Sequence, residues 1–175
     1  MKKYLFFAGV VLLIVACSRD SRERLFEINY PNILFDLPAG LSGNIAWGHS
    51  KSDLPSNFRN IVKANNSDTA VIAGVFPYSA RITSLDGFDY NFVEGVSILM
   101  CSNEKKQCSL ISDEVFYIDD LRGRAKSSIN LLPTQRNIEK LLSEEQYRLE
   151  LVFYFRNSTP YLVESRLDML FEAAR

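Results

Sequence analysis

From Tyr147 to Glu172 the chain alternates between apolar and polar residues, and that period of two restricts the fold more than any other feature. Tyr147, Leu149, Leu151, Phe153 and Phe155 fall on one side, with Arg148, Glu150 and Arg156 on the other. After the polar turn Asn157-Ser158-Thr159-Pro160, Tyr161, Val163, Leu167, Met169 and Phe171 alternate with Glu164, Arg166, Asp168 and Glu172. Successive side chains of a strand point to opposite faces, so these are two strands with one face in a core and one in water. The short turn predicts that they pair as an antiparallel hairpin.

Shorter strand signals precede them: 25–29 and 32–37 split by Pro31, then 43–48, 60–64 and 69–76 with Pro77 as a stop, then 92–101, 108–118 and 127–132. Turn clusters separate these runs, among them Pro38-Ala39-Gly40, Asn65-Asn66-Ser67-Asp68 and Asp86-Gly87. Many short strands with such punctuation predict an all-β, antiparallel β-sandwich over residues 25–175. One short helix is expected near 134–146, where Ile138, Leu141 and Leu142 share a face at i, i+3, i+4. A helical corner followed by Tyr147, two residues before inward Leu149, resembles the tyrosine corner of immunoglobulin-like sandwiches. That resemblance implies an immunoglobulin-like fold and a Tyr147 hydroxyl bonded to upstream backbone. No Cys stands at 149, so the inter-sheet disulfide of antibody domains is absent. Trp47 is expected in the core between the sheets.

The amino terminus carries a different signal. Lys2 and Lys3 precede an apolar run, Tyr4 to Val15, which small Ala16 closes. That is the order of a secretory signal peptide, and the run is shorter than the roughly 20 residues a spanning helix needs. Ile14-Val15-Ala16-Cys17 resembles the lipobox of bacterial lipoproteins. The resemblance implies cleavage after residue 16, a diacylglyceryl group on the Cys17 thiol and an acylated new amine. The lipid bilayer is then a partner through Cys17, without a span. In Gram-negative lipoproteins an Asp directly after the cysteine commonly signals inner-membrane retention; Ser18 stands there, with Asp20 later. The implied location is the outer membrane, with the domain on its periplasmic face. Residues 17–24 are expected to form a short acylated tether, whose seven polar residues 18–24 reach about 24 Å when extended.

Composition narrows the partners. Twenty Lys and Arg face 21 Asp and Glu, and Lys2 and Lys3 leave with the leader. A mildly acidic chain without a basic block has no electrostatic footprint for nucleic acid. With 47% hydrophobic residues, 12 Phe and 8 Tyr, one core is readily filled. If Cys17 is lipidated, Cys101 and Cys108 remain as an even pair, and an oxidising compartment favours a disulfide between them. The polar segment between them and the apolar runs outside it predict a β-hairpin stapled near its tip. Six intervening residues match neither a redox C-x-x-C nor a zinc knuckle.

Catalytic signals are weak. His49 is the single histidine, too few for a catalytic zinc site, and it reads as an exposed loop residue or a polar neighbour of Trp47. Gly40-Leu41-Ser42-Gly43-Asn44 lacks the last glycine of a nucleophile elbow. Asp86-Gly87-Phe88-Asp89-Tyr90-Asn91 offers oxygens but not the spacing of a calcium loop, and reads as a turn that caps its own backbone. Asp119-Asp120 and Glu144-Glu145 each point to opposite faces and form no acid–base pair alone. No catalytic residue, metal or cofactor is therefore assigned. Within the aromatic-rich segment from Phe76 to Phe92, Tyr78, Phe88 and Tyr90 are the candidate partner-binding residues. The expected function is non-enzymatic: an envelope lipoprotein that binds another protein, as an assembly component or a toxin-neutralising immunity lipoprotein. The alternative is a lipoprotein that binds or modifies cell-wall glycan.

Overall fold

The computed structural model describes residues 22–43, 45–121 and 126–175. The expected leader, Cys17 and most of the expected tether lie outside them. The strands are β1 (Arg24–Leu37), β2 (Trp47–Pro55), β3 (Gly74–Ser84), β4 (Val93–Ser102), β5 (Glu114–Ile118), β6 (Ser128–Pro133), β7 (Gln146–Phe155) and β8 (Val163–Ala174). Two short helices, α1 (Phe58–Ala64) and α2 (Glu139–Leu142), and a 3-10 turn at Thr69–Val71 lie in the connections. No described helix is long and apolar enough to cross a membrane.

All eight strands are antiparallel, in the order β1-β8-β3-β6-β5-β4-β7-β2. β6 turns the corner: Ser128–Leu131 pair with β3, and Leu132 and Pro133 pair with β5. The sheet thereby folds into two layers, β1-β8-β3-β6 and β2-β7-β4-β5. Rings meet across the interior, Tyr30 with Tyr147 at 5.7 Å and Phe116 with Phe171 at 5.3 Å. Strands 1 and 8, 2 and 7, 3 and 6, and 4 and 5 are nested partners. That nesting is the jelly-roll arrangement of two packed four-stranded layers. It corrects the immunoglobulin-like expectation, while the antiparallel, mainly β character agrees with the sequence.

The alternation places the apolar side chains as expected: Leu149, Leu151, Phe153, Val163, Leu167 and Phe171 are fully buried, and Glu164 is exposed. Glu150, expected in water, is buried instead, its charge met by Arg148 Nε at 2.7 Å. The predicted β7–β8 hairpin, however, does not form. β7 pairs with β2 and β4, whereas β8 pairs with β1 and β3. The connection crosses between layers, held by Thr159: its N–H donates to Leu41 O, and its hydroxyl accepts from Leu41 N and donates to Pro38 O.

Proline does not break the strands it was expected to break. β1 runs through Pro31 and β3 through Pro77, each with a register shift at that point. A bulge absorbs the missing donor. Asn32, just after Pro31, takes a positive φ of 62° and donates its N–H to Asp168 Oδ1. The strand expected at 60–64 is helix α1 instead, because Phe58 and Val62 stand at i, i+4 and both bury. Residues 69–71 form the 3-10 turn rather than the start of β3.

The helix expected over 134–146 shrinks to the single turn α2. Ile138, Leu141 and Leu142 do bury together. Residues 134–137 serve neighbouring strands instead: Thr134 Oγ1 donates to Glu114 O, Arg136 Nη1 to Met100 O, and Asn137 Oδ1 accepts from Val75 N. Tyr147 is a plain core residue, edge-on to Tyr30, and it is the Tyr30 hydroxyl that donates to backbone, at Ser56 O.

β4 and β5 form the expected hairpin, joined by the Cys101–Cys108 disulfide with Cα atoms 5.6 Å apart. β5 starts later than expected, at Glu114, because residues 109–113 close a separate turn through Asp113 N to Ser109 O. Thiol labelling of the native protein is expected to find neither cysteine until reductant is added. Replacing both by alanine is expected to lower stability by about 2–3 kcal/mol, the chain-entropy value for so short a loop. Denaturation of the two forms side by side checks it.

Candidate partner-binding surface

The pairings sort the connections between two ends of the barrel. Arg24 pairs with Ala174, which also pairs with Gly74, and Pro55 pairs with Gln146. One end, called proximal, therefore carries the start of β1, the close of β8, the β2–β3 and β6–β7 connections and the β4–β5 turn. The distal end carries the β1–β2, β3–β4, β5–β6 and β7–β8 connections.

Phe88 lies on the distal β3–β4 connection with 45% of its surface exposed. It stacks on Tyr161 of the β7–β8 connection, ring centroids 4.4 Å apart and planes within 24°. Tyr161 in turn meets Phe92 edge-on at 5.8 Å, and Phe92 lies 6.2 Å from Phe155. The exposed ring is thus rooted in the core through three others. Leu85 and Leu162 flank it, half exposed, and Leu85 N donates to Glu164 O at 2.8 Å, which holds the two connections side by side. Rigid aromatic area of this kind binds at small entropic cost.

The acidic residues between these rings are committed to the turn. Asp86 accepts from Ser84 Oγ, Phe88 N and Glu164 N. Desolvation alone would raise its pKa, but these hydrogen bonds outweigh it and hold the carboxyl below its usual range. Asp89 Oδ1 accepts from Asn91 N and from the Tyr161 hydroxyl. The segment is the self-capping turn that the sequence suggests.

The structure separates the three candidate aromatics. Tyr90 is fully buried, and its hydroxyl lies 2.9 Å from Ser165 Oγ, so it belongs to the core and not to a surface. Burial pushes its pKa up to about 12. Tyr78 is half exposed but sits at the β3 register shift, where the Arg24 guanidinium covers its ring at 5.2 Å. The six residues from there to Ser84 span about 20 Å of strand, so Tyr78 and Phe88 do not share a patch. Sequence reasoning missed Tyr161 and Leu162; the available signal was an adjacent apolar pair that breaks the alternation just after Pro160.

His49 is on β2, not in a loop. It is half buried, stacked on Trp47 at 5.8 Å and facing Phe35 at 5.9 Å. Its Nε2 is buried with no hydrogen-bond partner among the described residues. Desolvation first, and Lys51 second, lower its pKa against an opposing pull from Asp36. Trp47 is half buried at the sheet edge rather than enclosed between the layers.

The two acidic doublets lie at opposite ends of the barrel, Asp119-Asp120 after β5 and Glu144-Glu145 before β7. A shallow depression of about 340 Å³ gathers Glu94, Gly95, Asp119, Asp120 and Tyr154, which is several carboxylates but one aromatic ring. Among the described residues, Cys101, Cys108 and Asp113 place ligand atoms close enough for a metal, but the two sulfurs are bonded to each other.

No protein-family model matches this chain, and no curated protein sequence matches it. Among solved structures, it is similar to the Macrobrachium rosenbergii nodavirus P-domain at 10% identity, covering 89% of this chain and 100% of that one, with a TM-score of 0.33. Desmodium yellow mottle tymovirus is similar at 11% identity over 85% and 87% of the two chains, TM-score 0.34. The capsid of Helicobacter pylori bacteriophage KHP30 is similar at 10% identity over 84% and 93%, TM-score 0.28. The assignment of the fold rests on the strand pairings alone.

Proposed function

We propose that this chain is a lipid-anchored envelope protein that binds another protein through its distal end and performs no chemistry itself. The observation that carries the reading is the opposition of two features: the chain enters the barrel at the proximal end, and the rooted Phe88–Tyr161 stack stands at the distal end. A lipid on Cys17 would hold the proximal end toward a membrane and turn the aromatic patch away from it. The short tether keeps the barrel near the bilayer, so the partner is one that reaches or resides at the membrane. The lipobox, with Ser18 after the cysteine, supports the periplasmic face of the outer membrane. An assembly component of an envelope machine and an immunity lipoprotein that neutralises a toxin both fit this placement.

Two measurements test the reading. Mass spectrometry of the native amino-terminal peptide is expected to find residue 17 first and carrying acyl chains; an intact leader or a bare thiol would overturn the anchor. A photo-reactive residue at position 88, introduced in the acylated protein in its own cells, is expected to capture one protein species reproducibly. Phe88→Ala is expected to weaken binding of that species by at least about tenfold, the effect of a central aromatic anchor. Its melting temperature should fall by only about 2–4 °C, because nearly half of the ring is already in water. Equal binding by the variant would sink the distal-patch assignment.

A further inference from the structure

The β4–β5 turn carries an exposed apolar pair that the distal patch does not explain. Ile111 is 99% exposed and Leu110 is 48% exposed. Neither sits on a mobile tip. The disulfide closes the loop before them, and Asp113 closes it after them, accepting from Ser109 N at 2.8 Å, Lys105 Nζ at 2.9 Å and Arg136 Nη2 at 3.1 Å. A β-branched apolar side chain held fully in water by so many constraints is preorganised to be covered by something else.

What covers it follows from where it stands. The turn is on the proximal end, with Arg24, the residue at which the tether enters the barrel. Fully extended, the seven residues from 18 to 24 reach about 24 Å, so an acyl group on Cys17 holds the leaflet within that distance of this end. The charges beside the pair do not repel an ordinary leaflet. Lys105 is already paired with Asp113, and exposed Glu104 and Lys106 offset each other.

We propose that the Ser109–Asp113 turn is a second membrane contact, seating Leu110 and Ile111 in the headgroup region of the leaflet that the lipid on Cys17 enters. The inference rests on the anchored reading. It gives the acyl chains a fixed companion, so that the barrel stands in one orientation instead of swinging on its tether. Two attachments hold a protein on a bilayer far longer than one.

The test uses the mature acylated chain in vesicles of phosphatidylethanolamine and phosphatidylglycerol with brominated acyl chains. Ile111→Trp and, at the distal end, Leu162→Trp are each compared in a Trp47→Phe background. Both substituted positions are exposed, so the fold should tolerate them. An indole about 5–10 Å below the surface lies within reach of the bromines, and Ile111→Trp is expected to lose about half its emission while Leu162→Trp loses none. Flotation and the mass of the amino-terminal peptide report the anchor in the same preparation. A protein that floats with acyl chains but shows no quenching at 111 overturns the second contact and leaves the anchor standing. Quenching equal at both positions overturns it too. A blue shift at 111 without quenching would mean that protein, such as a second copy, covers the turn, and would likewise overturn the membrane contact. A chain that neither floats nor carries acyl mass overturns the anchor and the second contact together.

Discussion

Phe171→Ala is expected to destabilise the protein by about 3–5 kcal/mol, the range for truncating a large core aromatic. Phe171 is fully buried on β8, the strand shared by β1 and β3. Its ring lies 5.9 Å from Tyr30 in its own layer and 5.3 Å from Phe116 in the other. Its register partner on β3 is Pro77, whose fixed φ leaves little freedom to fill a void. Neighbours on stiff rings and paired strands cannot collapse into the space, which places the cost high in the range. Phe171→Leu, which keeps most of the volume, should cost about 1–1.5 kcal/mol. Chemical denaturation reads both as a lower midpoint with an unchanged slope. A loss below about 1 kcal/mol for the alanine variant would show that the layers do not meet at this ring.

Asp113→Asn should cost about 2–3 kcal/mol, less than the full cost of orphaning a buried ion pair. The carboxylate is 2% exposed, but the Lys105 and Arg136 side chains keep 48% and 24% of their surfaces in water. Water therefore screens part of the charge left behind. What is lost is the link between the stapled hairpin and the β6–β7 connection, because Arg136 also donates to Met100 O at 2.8 Å. Desolvation alone would raise the Asp113 pKa; the hydrogen bonds from Lys105 and Ser109 N and the charge of Arg136 outweigh it and hold the carboxyl below its usual range. A pKa lowered by folding gives stability that is complete above the unfolded value, near 3.9, and is lost as pH falls through the folded value. The native protein should therefore lose stability on acidification below about pH 4, and the asparagine variant should lose less over the same interval. Denaturation midpoints at neutral pH and at pH 3 check both statements.

The sequence made legible whatever depends on local period. Tyr147 to Phe155 and Val163 to Phe171 bury the faces that their alternation assigns, and the cysteine spacing identifies the stapled hairpin. Which strand lies beside which was not legible. Period two fixes a face, but β7 and β8 could satisfy their inward residues as neighbours in one layer or as opposites across the core. Thr159, clamped to the β1–β2 connection, decides for the second. Prolines misled for a related reason: Pro31 and Pro77 remove a donor, and only the partner strand's register shows that a bulge can absorb the loss. Aromatic residues within one short segment divided among the core, a strand bulge and a loop. Phe88 and Tyr90 are two positions apart, yet one is half exposed and the other enclosed, because the self-capping Asp86 turn ends between them.

The nested pairing also sets the order in which the architecture can be completed during synthesis. Only the β4–β5 hairpin and the adjoining β5–β6 pairing join segments close in the chain; β3 waits for β6, β2 for β7, and β1 for β8. Such distant closures are slow. A chain cut short before Val163 strands β1 and β3 with unsatisfied backbone along the sides β8 should cover, open templates for aggregation. Threaded amino end first through any pore, such a chain would stay unable to lock until β8 had emerged.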